Sequence, residues 1–390
     1  MTSEAKRFLI VAGESSGDMH GSGLVNALKK KYPNCDFNGL GGKRMREAGG
    51  KTFFDIDRMG AVGVVEVIAD LPHYLNVYRK LVLEIKSGNY DAVILIDYPT
   101  LNLRLAKTCH KYSCPIFFFI SPQVWAWRKG RIKQIQQTVD KMFVIFPFEE
   151  TMLKKEGVNV EFVGHPFVET VKTSMTREEG MKEFLLDSNK KTIGLLPGSR
   201  NNEIKYLLDL MIDSAAEIKK NINQSQFILP VANTLDITAI RKRLKLSPVE
   251  IVVVEGQSHD VINCCDFLII ASGSATLEAG ILGCPMVIVY KLNWITYWLA
   301  RVLVKIKLYG LVNIVAGEEV ATELIQSKAT VENITKEVLS ILTNSEKEEC
   351  LRNRLLQIRS SLGEPGVLDR VAVGILDFLE KQRRHEKISI

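Results

Sequence analysis

Two short turns of small residues in the second half of the chain could hold an anion. One follows the apolar run at residues 192–196 and the other follows residues 267–270, and each precedes a predicted helix. The first N–H groups of a helix are unpaired and partly positive, and glycine and serine let a phosphate oxygen approach them. The residues concerned are Gly198, Ser199, Arg200, Ser272, Gly273, Ser274, Ala275 and Thr276. Together the turns predict a diphosphate site, although each alone is equally consistent with ordinary turn and cap chemistry.

Two charged residues beside these turns favour a nucleotide as the source of the diphosphate. Arg200 can pair with a phosphate through its planar fork of donors. Glu278 lies about one turn into the helix after the second turn, where its carboxylate can accept hydrogen bonds from ribose hydroxyls.

Asp97 is the candidate catalytic residue of the first half of the chain. It follows the apolar run at residues 92–96 and precedes Tyr98 and Pro99. A carboxylate at the end of a buried strand can act as general base on an acceptor hydroxyl, and Asn102 can help to hold its geometry. The competing interpretation is that an Asp before an X-Pro pair simply forms a turn.

An acidic loop follows the first predicted strand. It contains Glu14, Ser16 and Asp18. Its negative charge would repel a pyrophosphate, so a sugar hydroxyl is the better partner for it. Alternatively, Ser16 and Asp18 only cap the helix that follows.

Aromatic residues follow a further predicted strand, at residues 116–120. Trp125, Trp127 and Arg128 could form the floor of a site for an amphiphilic substrate, or they could pack between domains. His165 also ends a strand, where a hydrogen-bonded turn residue is favoured over a catalyst.

Composition excludes several classes of protein. The 390 residues are 46% hydrophobic, enough for two domains, and 51 basic residues are intermixed with 45 acidic ones. The net charge of +6 is too modest and too dispersed for a nucleic-acid-binding protein. Seven scattered cysteines predict reduced thiols rather than a metal site. Because a strand is predicted from residue 8 and no apolar run could span a bilayer, we expect a cytoplasmic protein.

Continuous apolar runs alternate with amphipathic stretches of helical length, which predicts an α/β protein with parallel sheets covered on both faces. The predicted strands are residues 8–12, 92–96, 116–120, 142–146, 160–163, 192–196, 226–230, 250–254, 267–270 and 286–290. The polar segment 173–191 separates two sets, so we expect two Rossmann-like doubly wound domains that face each other across a cleft. The predicted bounds are 1–172 for the first domain, 173–362 for the second, and 363–390 for a C-terminal helical segment.

Two apolar stretches, residues 59–75 and 292–308, are too rich for ordinary loops. Both suit a membrane interface, and both could equally be buried helices. The candidate membrane-facing residues of the first stretch are Val64, Val65, Val67, Ile68, Leu71 and Leu75.

Seven segments in this order make the chain resemble the lipid-A-disaccharide synthase family over nearly its whole length. These segments are residues 13–18, 97–102, 121–128, 147–149, 164–166, 196–200 and 272–278. The resemblance implies a GT-B glycosyltransferase whose first domain binds the acceptor and whose second binds the UDP-sugar. The implied reaction transfers diacylglucosamine, with inversion, from UDP-2,3-diacylglucosamine to the 6-hydroxyl of 2,3-diacylglucosamine 1-phosphate (lipid X).

The resemblance also implies a role for particular residues. Asp97 matches the candidate base with Glu14 nearby, either of which could serve, while Arg200 and residues 272–276 match diphosphate contacts. Glu278 matches an acid on the nucleotide side. Further donor-site positions are Asn313, Glu323 and Gln326, in a motif that usually carries prolines where this chain has Val312 and Thr322.

The implied setting is the cytoplasmic face of the inner membrane, with peripheral contact to anionic lipid. UDP-sugar is a substrate, so no cofactor and no metal is expected. The family's final segment can cross to the other domain or to the partner subunit of a homodimer. Two alternatives stay open: a GT-B UDP-sugar epimerase, which needs no acceptor base, and a non-catalytic membrane-associated nucleotide-sugar sensor, which would not need Asp97.

Overall fold

The computed structural model of the chain describes residues 5–56, 71–122, 130–292 and 308–388. The chain forms two compact units, one of residues 1–166 with 364–390 and one of residues 167–363. The units divide between Pro166 and Phe167, six residues before the predicted boundary. The C-terminal segment returns to the first unit.

The first unit is built on seven parallel strands in the order β3-β2-β1-β4-β5-β6-β7. The strands are β1 (Lys6–Ala12), β2 (Cys35–Gly41), β3 (Lys51–Asp55), β4 (Ala92–Ile96), β5 (Ile116–Phe119), β6 (Lys141–Val144) and β7 (Val160–Phe162). Its helices are α1 (Ser15–Lys31), α2 (Lys43–Glu47), α3 (Leu71–Lys86), α4 (Pro99–Lys111), α5 (Gly130–Thr138), α6 (Pro147–Lys155) and the C-terminal α16 (Val367–Ile388).

The second unit has six parallel strands in the order β10-β9-β8-β11-β12-β13. They are β8 (Lys191–Leu196), β9 (Ser225–Val231), β10 (Ile251–Glu255), β11 (Phe267–Ala271), β12 (Met286–Tyr290) and β13 (Glu323–Ile325). The helices are α7 (Phe167–Thr170), α8 (Arg177–Glu183), α9 (Asn201–Asn221), α10 (Ile237–Leu244), α11 (Ser258–Cys264), α12 (Ser274–Ile281), α13 (Leu311–Ala316), α14 (Val331–Leu342) and α15 (Ser345–Ser361), with a 3-10 turn at Gln326–Lys328.

The central strands form because their residues are apolar without interruption. All residues of β4, β5 and β11 are buried, as expected for strands covered by helices on both faces. The ten predicted strands are present with ends shifted by at most two residues. Three further strands, β2, β3 and β13, were not predicted, because they are short or interrupted by polar and glycine residues at or beside the edges of their sheets.

Gly39 shows why β2 was missed. Its φ is +152°, and a side chain at this position would collide with the Ile10 carbonyl of the neighbouring strand. The glycine therefore permits close approach of β2 to β1, although glycine in a sequence ordinarily argues against a strand.

Each sheet has one point at which the strand order reverses direction. In the first unit it lies between β1 and β4, and in the second between β8 and β11. Ligands of open α/β sheets bind outside the carboxyl ends of the strands at this point, because the connecting helices diverge to opposite faces. The predicted acidic loop and Asp97 follow β1 and β4, and the two predicted anion turns follow β8 and β11.

Candidate functional site

Asp97 is held at the end of β4 in an uncommon backbone conformation. Asp97 and Tyr98 have φ values of 45° and 44°, in the left-handed region. The Asp97 N–H donates to the Phe119 carbonyl at 2.9 Å. The buried Asn102 amide donates to the carbonyls of Ile96, at 3.1 Å, and Asp97, at 2.7 Å. Such strain persists only where surrounding contacts fix it, and it concentrates at functional sites.

The surroundings of Asp97 make its carboxyl group a weaker acid than usual. Burial, followed by the nearby negative charge of Glu14, raises its pKa to about 6, although the Tyr98 N–H opposes the rise. A carboxylate with this pKa is largely ionised at neutral pH and is a better proton acceptor than an exposed one. A carboxyl group in this setting can take a proton from a hydroxyl group placed against it.

The acidic loop divides into two parts with different surroundings. Glu14 is the exposed N-cap residue of α1, and Ser16 is exposed in the first turn of the same helix. Both are therefore open to solvent, and the charge of Glu14 acts on Asp97. Tyr98 closes the loop from the side, since its ring lies where a side chain on Gly13 would stand.

Asp18 does not belong to this exposed group. Its carboxylate is buried and accepts the backbone N–H groups of Gly42 at 2.6 Å, Arg44 at 3.0 Å and Met45 at 3.1 Å. It therefore caps α2 from the neighbouring helix, because the N-cap residue Gly42 has no side chain to do so. The side chain therefore has a structural role, and its predicted contact with the acceptor stays a prediction.

Two histidines lie close to the carboxyl end of the first sheet and are held neutral. Burial lowers the pKa of His20 to about 4, and burial together with His20 lowers that of His165 to about 3. Their rings contact Phe119 and Phe146 at centroid distances of 5.9 and 5.1 Å. At neutral pH these rings therefore add no positive charge.

The two predicted anion turns of the second unit line one cavity of about 390 Å³. It opens at the carboxyl ends of β8 and β11, and further lining comes from the end of β9 and the start of α11. The predicted residues found in its wall are Gly198, Ser199, Arg200, Ser272, Gly273, Ser274, Ala275 and Glu278. Residues distant in the sequence are thus brought together at the switch point of the second sheet.

The N–H groups of the first turn already have an anionic partner within the chain. The Glu203 carboxylate accepts the backbone N–H of Ser199 at 2.8 Å and of Arg200 at 3.2 Å. Gly198, with φ of +111°, lets the turn wrap around this carboxylate, since a side chain there would collide with it. At the first turn, the N–H groups of Ser199 and Arg200 are therefore bonded to Glu203, whereas the Arg200 side chain lines the cavity. That this turn binds a diphosphate stays a prediction.

The second turn leaves the start of its helix uncovered. Gly273 is the N-cap residue of α12 and has no side chain to cap the first N–H groups. The Ser272 hydroxyl donates to the Tyr309 carbonyl at 3.0 Å. Thr276 is fully buried and donates to the Gly273 carbonyl at 2.8 Å, so its hydroxyl shapes the turn and does not line the cavity. A direct contact of Thr276 with an anion stays a prediction.

Glu278 is fixed by two side chains at the cavity wall. Its Oε2 lies 2.9 Å from Nε2 of His259, and its Oε1 accepts the Ser274 hydroxyl at 3.3 Å. The hydrogen bond to Glu278 is the main cause that raises the pKa of His259. The carboxylate thus has a defined position next to the uncovered helix start.

Asn313 and Glu323 hold the chain segment that contacts Ser272 of the second turn, and Gln326 holds the chain just after β12. The buried Asn313 amide donates to Ala321, at 2.7 Å, and to Glu323, at 2.8 Å, and the Glu323 carboxylate accepts the N–H groups of Tyr309 and Gly310. The Gln326 side chain makes two bonds to the Leu292 backbone. These bonds give the three side chains a role inside the fold, and their direct contact with a donor stays a prediction.

Several predicted acceptor or membrane residues lie outside the described residues. They are Val64, Val65, Val67, Ile68, Trp125, Trp127 and Arg128. Leu71 is the first residue of α3, and Leu75, on the same helix, is 38% exposed. Within the described ranges, no helix is long and apolar enough to cross a membrane. Nor does this part of the chain contain a cluster of three or more His, Cys, Asp or Glu side chains suited to a metal ion.

Sequence reasoning missed Glu203 and His259. Glu203 stands three residues after Arg200, the spacing of a capping box, so its position carried a usable signal. His259 belongs to no motif. Only the packing of α11 against α12 brings it to Glu278.

Comparison with known proteins gives a consistent result along the whole chain. The family model described as lipid-A-disaccharide synthetase matches residues 8–365. The lipid-A-disaccharide synthase of Syntrophus aciditrophicus is 42% identical over 378 residues, covering 97% of this chain and 99% of that protein. That of Geobacter sulfurreducens is 41% identical over 376 residues, covering 96% and 98%.

Solved structures share the fold at low sequence identity. A putative UDP-N-acetylglucosamine 2-epimerase of Listeria monocytogenes matches with a TM-score of 0.65 at 14% identity and covers 97% of both chains. UGT2 of Phytolacca americana, solved with UDP-2fluoro-glucose and pterostilbene, matches with a TM-score of 0.61 at 12% identity, covering 96% of this chain and all of that one. The predicted class of two Rossmann-like parallel-sheet domains of GT-B type is confirmed.

Proposed function

Because the chain belongs to the lipid-A-disaccharide synthase family of UDP-sugar glycosyltransferases, as its motifs predicted, we propose which sugars it joins and how. The donor is UDP-2,3-diacylglucosamine and the acceptor is 2,3-diacylglucosamine 1-phosphate. The products are the β-1,6-linked disaccharide 1-phosphate of lipid A and UDP.

The proposal rests on the position and the raised pKa of Asp97. Its carboxyl group stands at the switch point of the first sheet, beside the exposed Glu14, with its pKa raised to about 6. A sugar hydroxyl is a weak nucleophile until a base takes its proton, and general-base catalysis of this kind contributes about 10²- to 10⁴-fold. We assign Asp97 as the base and Glu14 as the neighbour that raises its basicity, with Ser16 available to the acceptor.

The second unit holds the donor in this proposal. Arg200 pairs with the diphosphate, and the uncovered start of α12 at Ser274 and Ala275 presents backbone N–H groups to it. Glu278 accepts hydrogen bonds from the ribose. Glu203, Thr276, Asn313 and their partners keep the two turns in shape.

The reaction is a single in-line displacement. As Asp97 takes the proton of the acceptor 6-hydroxyl, that oxygen forms a bond to the anomeric carbon of the donor sugar. The bond from this carbon to the diphosphate breaks on the opposite side, and its electron pair leaves with UDP. The configuration inverts, so the product is the β-anomer. Arg200 and the helix start stabilise the charge that develops on the leaving group.

The substrates also suggest where the protein acts. Both carry acyl chains that reside in a membrane, whereas the nucleotide is made in the cytoplasm. We therefore propose that the protein works at the cytoplasmic face of the inner membrane through peripheral contact with anionic lipid. UDP-sugar is consumed as a substrate, and the groups assigned to the leaving diphosphate call for no cofactor. We also propose that the protein acts as a homodimer.

The test is an incubation of the full chain with both lipids in detergent and EDTA. Mass spectrometry is expected to detect the disaccharide 1-phosphate, with one UDP released per disaccharide, and the proton coupling at the new linkage identifies the β-anomer. Without acceptor, the UDP-sugar is expected to persist. Conversion of UDP-sugar without acceptor would support an epimerase instead. UDP binding without turnover of either lipid would support a nucleotide-sugar sensor.

A further inference from the structure

His259 contacts the proposed donor site from behind. It lies on α11, directly after Ser258, which lines the cavity, and its Nε2 is 2.9 Å from the Glu278 carboxylate. The two side chains are 26% and 19% exposed, so the pair is largely removed from water. The carbonyl of Lys172 accepts a second hydrogen bond from the same ring.

The contacts of the ring favour its protonated form. A carbonyl oxygen only accepts hydrogen bonds, and so does an ionised carboxylate. Both contacts are therefore made by ring N–H groups, and they are strongest when the ring is a cationic imidazolium. The direction of the pKa change agrees, since the contact with Glu278 raises the pKa of His259 above its ordinary value.

The cavity needs such a cation because two carboxylates line it. Glu203 and Glu278 would both repel a diphosphate. Glu203 is compensated by the N–H groups of Ser199 and Arg200. His259 is the corresponding partner of Glu278.

The other charged groups around α11 have partners of their own. Asp260, on the same helix, accepts the N–H and the hydroxyl of Ser174, and its negative charge adds to the rise in the pKa of His259. Arg177, on the packed helix α8, pairs with Asp266 at 2.9 Å. Lys172 meets the ring through its carbonyl oxygen. Among the described residues, Glu278 is the carboxylate that forms an ion pair with His259.

We propose that His259 is a positioning residue of the donor site, where its positive charge compensates Glu278 and fixes that carboxylate for the nucleotide. This inference rests on the proposed donor site. It adds a dependence of donor affinity on pH, because loss of the ring proton leaves Glu278 uncompensated beside the diphosphate. The step assigned to Asp97 is separate, so kcat at saturating donor keeps its own pH profile.

The experiment measures KM for UDP-2,3-diacylglucosamine and kcat from pH 6 to pH 9. The diphosphate of a UDP-sugar is esterified at both ends and does not titrate in this range. In the unchanged protein we expect KM to rise about tenfold toward pH 9, while kcat follows only the separate titration of Asp97 near pH 6. His259→Gln is expected to have a high KM throughout, and His259→Lys, which keeps a fixed charge, a low KM throughout. His110→Gln, at an exposed histidine of the first unit, is the matched control and should follow the unchanged protein.

Three outcomes would overturn the inference. The first is a KM that rises with pH in His259→Gln as much as in the unchanged protein. The second is a KM of His259→Lys as high as that of His259→Gln, and the third is a change in kcat with no change in KM. Thermal unfolding of each variant shows whether it is folded. If His259→Gln does not fold, the KM of His259→Lys between pH 6 and pH 9 still tests the inference. Failure of the proposed function gives a different result, namely that the unchanged protein shows no saturable use of the UDP-sugar.

Discussion

The raised pKa of Asp97 results from the position of this residue at the end of β4. The chain turns through two consecutive left-handed residues, and Asn102 holds the carbonyl of Asp97. The carboxyl group is partly removed from water and faces the charge of Glu14. Both effects disfavour ionisation, and they can be tested through the pH dependence of the rate.

We expect kcat to rise with pH through a limb centred near 6. The raised pKa of Asp97, about 6, means that the carboxyl group is protonated and unable to accept a proton below this value. Rates measured from pH 4.5 to pH 8 at saturating substrates check the expectation. In Glu14→Gln the limb should move to lower pH, because the neighbouring negative charge is removed. A limb that stays in place in this variant would contradict the assigned electrostatic cause.

Arg200 supplies the positive charge at the first turn of the second unit. We expect Arg200→Ala to weaken UDP binding by about 10- to 100-fold, because it removes one or two charge-assisted hydrogen bonds to the diphosphate. Isothermal titration with UDP measures this directly. Arg241→Ala, at an exposed position of α10, is the matched control and should bind as before. Unchanged UDP binding in Arg200→Ala would remove this residue from the diphosphate site.

At the scale of single elements, α2 depends on a cap from another helix. Asp18, on α1, accepts three N–H groups at the start of α2, so it ties the loop after β2 to the helix after β1. A carboxylate that satisfies several buried donors contributes more to stability than an exposed one.

Asp18→Asn is therefore expected to lower stability rather than to alter recognition. The amide offers one acceptor oxygen and sets an NH₂ group against backbone N–H groups, at a cost of about 2 kcal/mol in the free energy of unfolding. Urea titration measures the change. Asp369→Asn, at a surface aspartate about half exposed, should change stability by less than about 0.5 kcal/mol. An Asp18→Asn variant of normal stability with a raised acceptor KM would instead support a direct role in acceptor binding.

The elements show why sequence predicted some features and not others. Uninterrupted apolar runs identified the central strands, and the residues that follow them fell at the switch points because parallel strands place their carboxyl ends together. Asp97 and Arg200 could be found this way. The capping of α2 by Asp18 and the pairing of His259 with Glu278 join different elements, so no local pattern contains them.

At the scale of the whole molecule, the chain returns to its first unit at the end. The ring of Phe378, on α16, meets the buried Phe117 edge-on at a centroid distance of 5.4 Å. Arg370, on the same helix, donates to the Val163 carbonyl at 2.9 Å and to the Pro365 carbonyl at 2.8 Å. The first sheet is thus completed by a helix more than 200 residues away in sequence. The sequence predicted a separate C-terminal helical segment at residues 363–390, but the place of this segment in the fold is set by the contacts of these side chains.

Phe378→Ala is expected to destabilise the first unit by about 1–3 kcal/mol, because it leaves part of the Phe117 ring without a partner. Urea unfolding of the full chain, with and without UDP, separates this transition from that of the second unit. Val373→Ala, at a 39% exposed position of the same helix, is the control. UDP affinity should be unchanged in both variants. A loss of UDP binding in Phe378→Ala would show that the second unit does not fold independently of this helix.

The central claim is that Asp97 removes the acceptor proton, and the turnover of Asp97→Asn tests it most directly. The amide is nearly the same size and cannot take the proton, so we predict a fall in kcat of about 10²- to 10⁴-fold with UDP affinity unchanged. Disaccharide formation by this variant is measured at saturating concentrations of both lipids. Turnover at the rate of the unchanged protein would contradict the account.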